Sequence, residues 1–224
     1  MAATRGIGLY SGPRRTLFRM LARRSLVCAA LAAALAMGGC ARHAPNAGAS
    51  AQADDMSLGD ARAKVAVVEY ASASCPHCAR WDTEVFPAFK AKYVDTGKVR
   101  YTLKEYLTEP KALAAAGFLL ARCAGKDRYF PVLDAFFKGQ DEMLQTRDVR
   151  AVLARIAKSP GGLSEAQLDA CMRDPAAEKA LAARAARHLG DGITGVPTFI
   201  INGRRVEGEM TLPELDAAIA KAAG

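Results

Sequence analysis

Cys75 and Cys78 are separated by Pro76 and His77, a spacing at which two thiols can close a disulfide across the first turn of a helix. The chemistry open to such a pair is thiol–disulfide exchange, in which a thiolate attacks a disulfide sulfur and a mixed disulfide forms. A helix starting here would put Cys75 among unpaired backbone N–H groups at the positive end of the helix dipole, which favour an anion. Pro76 suits the first helical position, where a missing N–H costs nothing. His77 can add positive charge or a hydrogen bond to a Cys75 thiolate. Each pKa unit by which Cys75 is lowered is about 1.4 kcal/mol of thiolate stabilisation. A shift of two or three units makes the couple roughly 60–90 mV more oxidising. A zinc site would need a second close Cys/His pair. Cys28, Cys40, Cys123 and Cys171 form none, and His43 and His188 stand alone, so no metal is expected.

The elements around the pair fit this chemistry. Residues 64–70 carry three valines and a tyrosine and read as a buried strand, while residues 79–86 read as a helix, so the cysteines fall on a strand-to-helix turn. Far downstream, Val196-Pro197 opens a second strand that ends at Asn202-Gly203 and continues into Arg204-Arg205-Val206-Glu207. That pattern predicts a β-hairpin. A proline cannot donate to a central ladder, so Pro197 at a strand start implies a turn or a cis bond.

Together these motifs resemble the DsbA family of periplasmic thiol:disulfide oxidoreductases. Cys-Pro-His-Cys is the filling typical of that family's oxidases, and a valine before the facing cis-proline is typical too. Glu69 matches the family's buried acid beneath the redox pair, and Lys104 matches the lysine that partners it. The resemblance runs from about Ser57 to the C-terminus. It implies an α/β, thioredoxin-like fold with a helical subdomain inserted at about 108–190. It also implies an oxidase in which Cys75 is the exposed nucleophile, Cys78 its partner, and Glu69 with Lys104 manage charge at Cys78. Backbone groups of Val196 would pair with an extended substrate chain. Reduced or unfolded exported proteins are the implied substrates, a DsbB-like membrane quinone reductase the implied reoxidant, and no organic cofactor is called for. A disulfide reductase or isomerase for specific clients is the alternative within this chemistry. A non-catalytic, chaperone-like binding module is the alternative outside it. The presence of Cys75, Cys78, His77 and Pro197 together speaks against the latter.

Charge patterning separates the N-terminus from the rest. The 224 residues carry a formal charge of +8, but six arginines precede Cys40 and the first acidic residue is Asp54. Setting those arginines aside leaves 25 basic against 23 acidic residues, without the basic stripe that nucleic-acid binding needs. Arg23-Arg24 followed by the apolar run from Ser25 to Met37 reads as an export signal, too short for a spanning helix. Met37-Gly38-Gly39-Cys40 resembles a bacterial lipobox, making residues 1–39 a lipoprotein signal peptide and Cys40 its lipidated residue. Ordinary cleavage after Ala51-Gln52-Ala53 is the competing reading. Residues 40–56 are small, polar and aperiodic, as in a flexible tether, and too short for a dimerisation domain, so a monomer is expected. The protein is then periplasmic, its only membrane contact a lipid anchor.

The inserted region carries apolar stripes at helical spacing, including Leu113, Gly117 and Leu120, then Leu133, Phe136 and Phe137, then Val152, Leu153 and Ile156. Ser164 with Gln167, and Thr211 with Glu214, form capping boxes ahead of two further helices. Cys123 and Cys171 fall on such stripes, as two buried thiols or as one bridge. An oxidising compartment favours a structural disulfide, which would contribute roughly 4 kcal/mol on the chain-entropy model.

Overall fold

A computed structural model describes residues 52–224. The expected signal peptide, Cys40 and most of the expected tether lie outside the described residues. At the centre is β2 (Val65–Ala71), whose valines and tyrosine are buried on both faces of the sheet. Strand β3 (Val99–Glu105) runs parallel to it, in register from Val65↔Val99 to Ala71↔Glu105. A parallel pair needs a crossover. Here it is α1 (Pro76–Glu84), the short α2 (Phe86–Phe89) and a π-helical stretch over Lys90–Val94.

The other strands are antiparallel. β4 (Thr198–Ile201) pairs with the free side of β2, β5 (Arg204–Glu207) pairs with β4, and β1 (Met56–Leu58) lies outside β3. The order is β1-β3-β2-β4-β5. The expected hairpin is the β4–β5 pair. Its two turn residues, Asn202 and Gly203, have φ of 43° and 86°, as a right-twisted two-residue hairpin requires. Asn202 also accepts from the Ala66 N–H at 2.8 Å, fastening the turn to β2.

Between β3 and β4 the chain forms the helical insertion. Its helices are α3 (Lys111–Cys123), α4 (Tyr129–Lys138), α5 (Gln140–Thr146), α6 (Val149–Lys158), α7 (Glu165–Met172) and α8 (Pro175–Gly190). Both expected capping boxes form, at the start of α7 and of the last helix, α9 (Leu212–Ala223). Cys123 and Cys171 are joined in a disulfide across α3 and α7, their Cα atoms 6.2 Å apart. No helix among the described residues is long and apolar enough to cross a membrane.

Two packing details bear on the site. Gly117 on α3 lies so close to the segment entering α1 that a Cβ there would stand 2.7 Å from the Ala73 Cβ and 2.9 Å from the Phe136 ring. Only a residue without a side chain lets the insertion approach the cysteines this closely. Residues 54–56, which composition assigns to the expected tether, are held against the folded domain. Met56 already pairs with Leu103 in β1, and Asp54 meets Arg187 at 2.5 Å while its carbonyl accepts from Arg122 at 3.0 Å. The acidic pair Asp54-Asp55 finds cations on the insertion and on β3, which a composition reading of residues 40–56 cannot anticipate.

Candidate active site

Cys75 is the N-cap residue of α1, with extended φ and ψ of −85° and 121°, and Pro76 takes the first helical position. The Cys75 N–H donates to the Ser72 carbonyl at 3.0 Å, and its own carbonyl receives the Ala79 N–H at 3.0 Å. The helix is pinned from below by Trp81. Its indole N–H donates to the Met210 carbonyl at 2.9 Å, and its ring centroid lies 4.8 Å from that of Phe199 on β4. From the insertion, the buried Gln140 side chain donates to the carbonyls of Ala73 at 2.8 Å and Cys75 at 3.4 Å. The turn holding the cysteines is therefore fixed by the sheet, by α1 and by the inserted helices at once.

The two thiols differ. Cys75 keeps 8% of its surface exposed, whereas Cys78 has none. Cys75 Sγ lies 3.6 Å from the carbonyl oxygen of Val196, immediately before the cis peptide to Pro197. The sequence-predicted pair and the sequence-predicted proline loop thus meet, although 121 positions separate Cys75 from Val196. The Cys75 thiol is lowered to about 6, chiefly by a hydrogen bond from the Cys78 thiol, against the opposing effect of burial. The backbone N–H groups of Cys78 and His77 and the charge of His77 add to the lowering. This is the stabilisation expected at a helix N-terminus. Cys78 is pushed the other way, by burial first, then by its neighbour Cys75 and by Glu69. One thiol is thus a ready thiolate and the other holds its proton.

Beneath them, burial raises Glu69 to about 8, against the lowering effect of a hydrogen bond that the Tyr101 hydroxyl donates to it at 2.5 Å. Asp82, one helical turn after Cys78, is raised to about 7, mainly by burial and then by Asp134. Its Oδ2 is buried without a hydrogen-bond partner among the described residues. Burial therefore lifts two acids of this region, Glu69 on β2 and Asp82 on α1, to about neutral pH or above.

Lys104 does not partner Glu69. In the β2–β3 register Glu69 stands opposite Leu103, and Lys104 opposite Tyr70. A shift of one residue along a strand turns a side chain to the other face of the sheet. Lys104 therefore sits on the far side, 3.6 Å from Asp191 and 3.9 Å from Asp55, with its ammonium 5.6 Å from the Tyr70 ring centre. Tyr101, on the Glu69 face, is the residue that meets the acid. Counting the alternation of β3 from Leu103 back to Tyr101 would have found it; Asp82, four positions after Cys78, was readable by helical spacing.

Of the two roles expected of His77, its positive charge does act on the Cys75 thiolate, while its ring nitrogen makes its contact elsewhere. Its ring is largely exposed and its Nδ1 lies 2.5 Å from a carboxylate oxygen of Glu209, instead of against the Cys75 sulfur. Glu209 and Arg80, which the sequence motifs do not single out, complete that contact.

A dithiol with one acidic and one buried sulfur, at a helix N-terminus that faces a cis-proline, on this sheet order, is the thiol site of a thioredoxin fold. The comparisons agree. The thioredoxin family model matches residues 51–221, and the chain belongs to that family. Over 176 residues it is 33% identical to a Rickettsia bellii protein named, by assignment only, a protein-disulfide oxidoreductase, covering 75% of this chain and 64% of that one. The chain spans about three fifths of the length of the first Rickettsia relatives it matches. The crystal structure of α-DsbA1 from Wolbachia pipientis superposes with a TM-score of 0.71 at 26% identity, over 78% of this chain and 93% of that one. BdbD from Bacillus subtilis matches with a TM-score of 0.64 over 75% of this chain and 92% of that one; at 19% identity it supports the fold alone. The expected likeness to DsbA proteins, with their inserted helices, holds.

Proposed function

We propose that this protein is a thiol:disulfide oxidoreductase working as an oxidase, which introduces disulfides into exported proteins through Cys75 and Cys78. The observation that carries this reading is the asymmetry of the pair: a Cys75 sulfur lowered to about 6 at the mouth of the site, and a buried Cys78 that favours the thiol. A substrate thiolate attacks Cys75 Sγ of the oxidised pair, the Cys75–Cys78 bond breaks, and Cys78 leaves as a thiolate that takes a proton. Glu69, still protonated near neutral pH, is suited to supply it. A second substrate thiolate then attacks the substrate sulfur of the mixed disulfide, and Cys75 leaves as a thiolate. Two electrons pass from substrate to protein, and the substrate gains a disulfide. The nearness of the Val196 carbonyl to Cys75 Sγ supports its pairing with an extended substrate backbone. Lys104, on the other face of the sheet, has no part in these steps.

The reduced pair must be reoxidised, and a DsbB-like membrane quinone reductase is the partner we assign to that step. Export by the N-terminal segment, lipidation of Cys40 and work as a monomer in the periplasm complete the reading. The stabilised Cys75 thiolate favours an oxidase over a reductase, because it makes the reduced form the preferred one. The test is a trapping experiment. Cys78→Ala should accumulate mixed disulfides when its Cys75 thiolate attacks disulfide-bonded client proteins, the client's second sulfur leaving as a thiolate with no Cys78 to resolve the bond, and Cys75→Ala should form none and lose all exchange activity. Exchange that survives in Cys75→Ala would overturn the assignment. A wild-type reduction potential as low as that of thioredoxin, about −270 mV, would move it to a reductase.

A further inference from the structure

His77 and Arg80 are three residues apart on α1 and so share one exposed face of the helix. Both turn to the same carboxylate, Glu209, which comes from the segment between β5 and α9. One Glu209 oxygen lies 2.5 Å from His77 Nδ1 and 2.7 Å from Arg80 Nη2, and the other accepts from Arg80 Nε at 3.0 Å. The arginine contact is the two-pronged kind that fixes geometry as well as charge. Arg80 Nη2 also lies 2.6 Å from His77 Nδ1, so the three groups form a closed triangle. Nδ1 can donate to Glu209 or accept from Arg80, and the carboxylate favours the first arrangement.

The exchange steps use neither Glu209 nor Arg80, yet the triangle is built on the motif itself. His77 is one of the two residues between the cysteines. The positive charge of His77 acts on the Cys75 sulfur, and Arg80 interacts with the Cys75 thiolate as well as with Glu209. Arg80 always, and His77 whenever it carries a proton, therefore act on the thiolate, and a carboxylate is held against both. We propose that Glu209 is a positioning residue that sets the acidity of Cys75, and with it the potential of the couple, by holding His77 and Arg80 in a cluster that withholds part of their charge from the sulfur. This rests on exchange chemistry at Cys75 and is independent of the direction in which the couple runs.

The test is the Cys75 pKa, from the pH dependence of its alkylation by iodoacetamide, in the full chain carrying Glu209→Gln. The amide keeps the shape and one acceptor while removing the charge. The pKa should fall by about half a unit, roughly a threefold change in the ionisation constant. The potential measured against glutathione should rise correspondingly, by about 15 mV at 30 mV per tenfold change. At about 1 M salt, where charges are screened beyond roughly 3 Å, the difference from wild type should close. In a His77→Ser/Arg80→Gln background the same substitution should move the pKa by less than half as much. An unchanged or raised pKa in Glu209→Gln overturns the proposal, and so does a shift that stays undiminished in that background. Alkylation reports the thiolate whether or not the protein oxidises substrates, so a failure here and a failure of the oxidase reading are told apart.

Discussion

Switching the Cys75–Cys78 pair between dithiol and disulfide, with nothing else altered, isolates what the thiolate does for stability. Cys75 titrates at about 6 in the folded protein against an ordinary value of 9.0. Between those two values the unfolded reduced chain holds a proton that the folded one has released. Stability of the reduced form therefore rises with pH, by up to about 1.4 kcal/mol per unit. The contribution is lost as pH falls through about 6 and is complete above 9.0. Three units would amount to about 4 kcal/mol. Cys75 keeps 8% of its surface exposed, and partial screening by solvent brings the effect to roughly 2–4 kcal/mol. The disulfide form has no thiol to titrate there and gains instead from closing a four-residue loop, about 2 kcal/mol on the chain-entropy model.

The disulfide form should therefore be the more stable by about 2 kcal/mol near pH 5, and the reduced form should draw level or pass it by about pH 9. Urea unfolding of both forms across that range is the assay. Reduction should be mild enough to leave Cys123–Cys171 closed, checked by mass. What matters is the slope of the difference below about pH 8, where Cys78, the other thiol that only the reduced form carries, keeps its proton both folded and unfolded. A difference that stays flat between about pH 6 and 8 would refute the reasoning, because no thiolate is then being stabilised by folding.

Glu69→Gln probes the buried acid: the folded protein keeps a proton up to about 8 that the unfolded chain releases above 4.5, so Glu69 subtracts stability as pH rises between them. The amide can still accept from Tyr101, and the variant should be more stable than wild type by roughly 3–5 kcal/mol at pH 8 and by little at pH 4, read from urea midpoints at the two pH values. Cys40→Ser should move the protein from the membrane to the soluble periplasmic fraction while purified-protein exchange rates stay unchanged; a wild-type protein that is already soluble, with Asp54 as its first residue, would decide for ordinary cleavage.

The parts of the site that were legible in the sequence are those whose chemistry is local. Cysteine spacing, Pro76 at the helix start, Asn202-Gly203 between two strands, and Ser164 with Gln167 each announce themselves within a few residues, and each takes the expected form. Pro197 was readable as a special strand start, and its meeting with Cys75 followed from the family resemblance. The Glu69–Lys104 pair failed because it depends on the register between two strands, where an error of one residue exchanges the faces. β1 has three residues and no periodicity of its own, and exists because β3 offers it an open edge. Glu209 meets Arg80 across 129 positions, a contact that no spacing rule encodes.

That register has a consequence for how the molecule handles charge. On one face, Glu69, Tyr101 and Asp82 lie with the cysteines over the larger apolar core. On the other, Tyr70, Lys104, Asp191, Asp55 and His188 form a separate assembly beside Val68, Ile193 and Ile200. The groups that act on Glu69 come from its own side, and so do the acids that act on Tyr70. The central strands thus behave as an insulating wall between two electrical compartments, one that changes charge with every turnover and one that does not. Substitutions in the first can retune the couple while the second goes on clasping the sheet to α8 and to the entering chain, so redox character and architecture can drift independently.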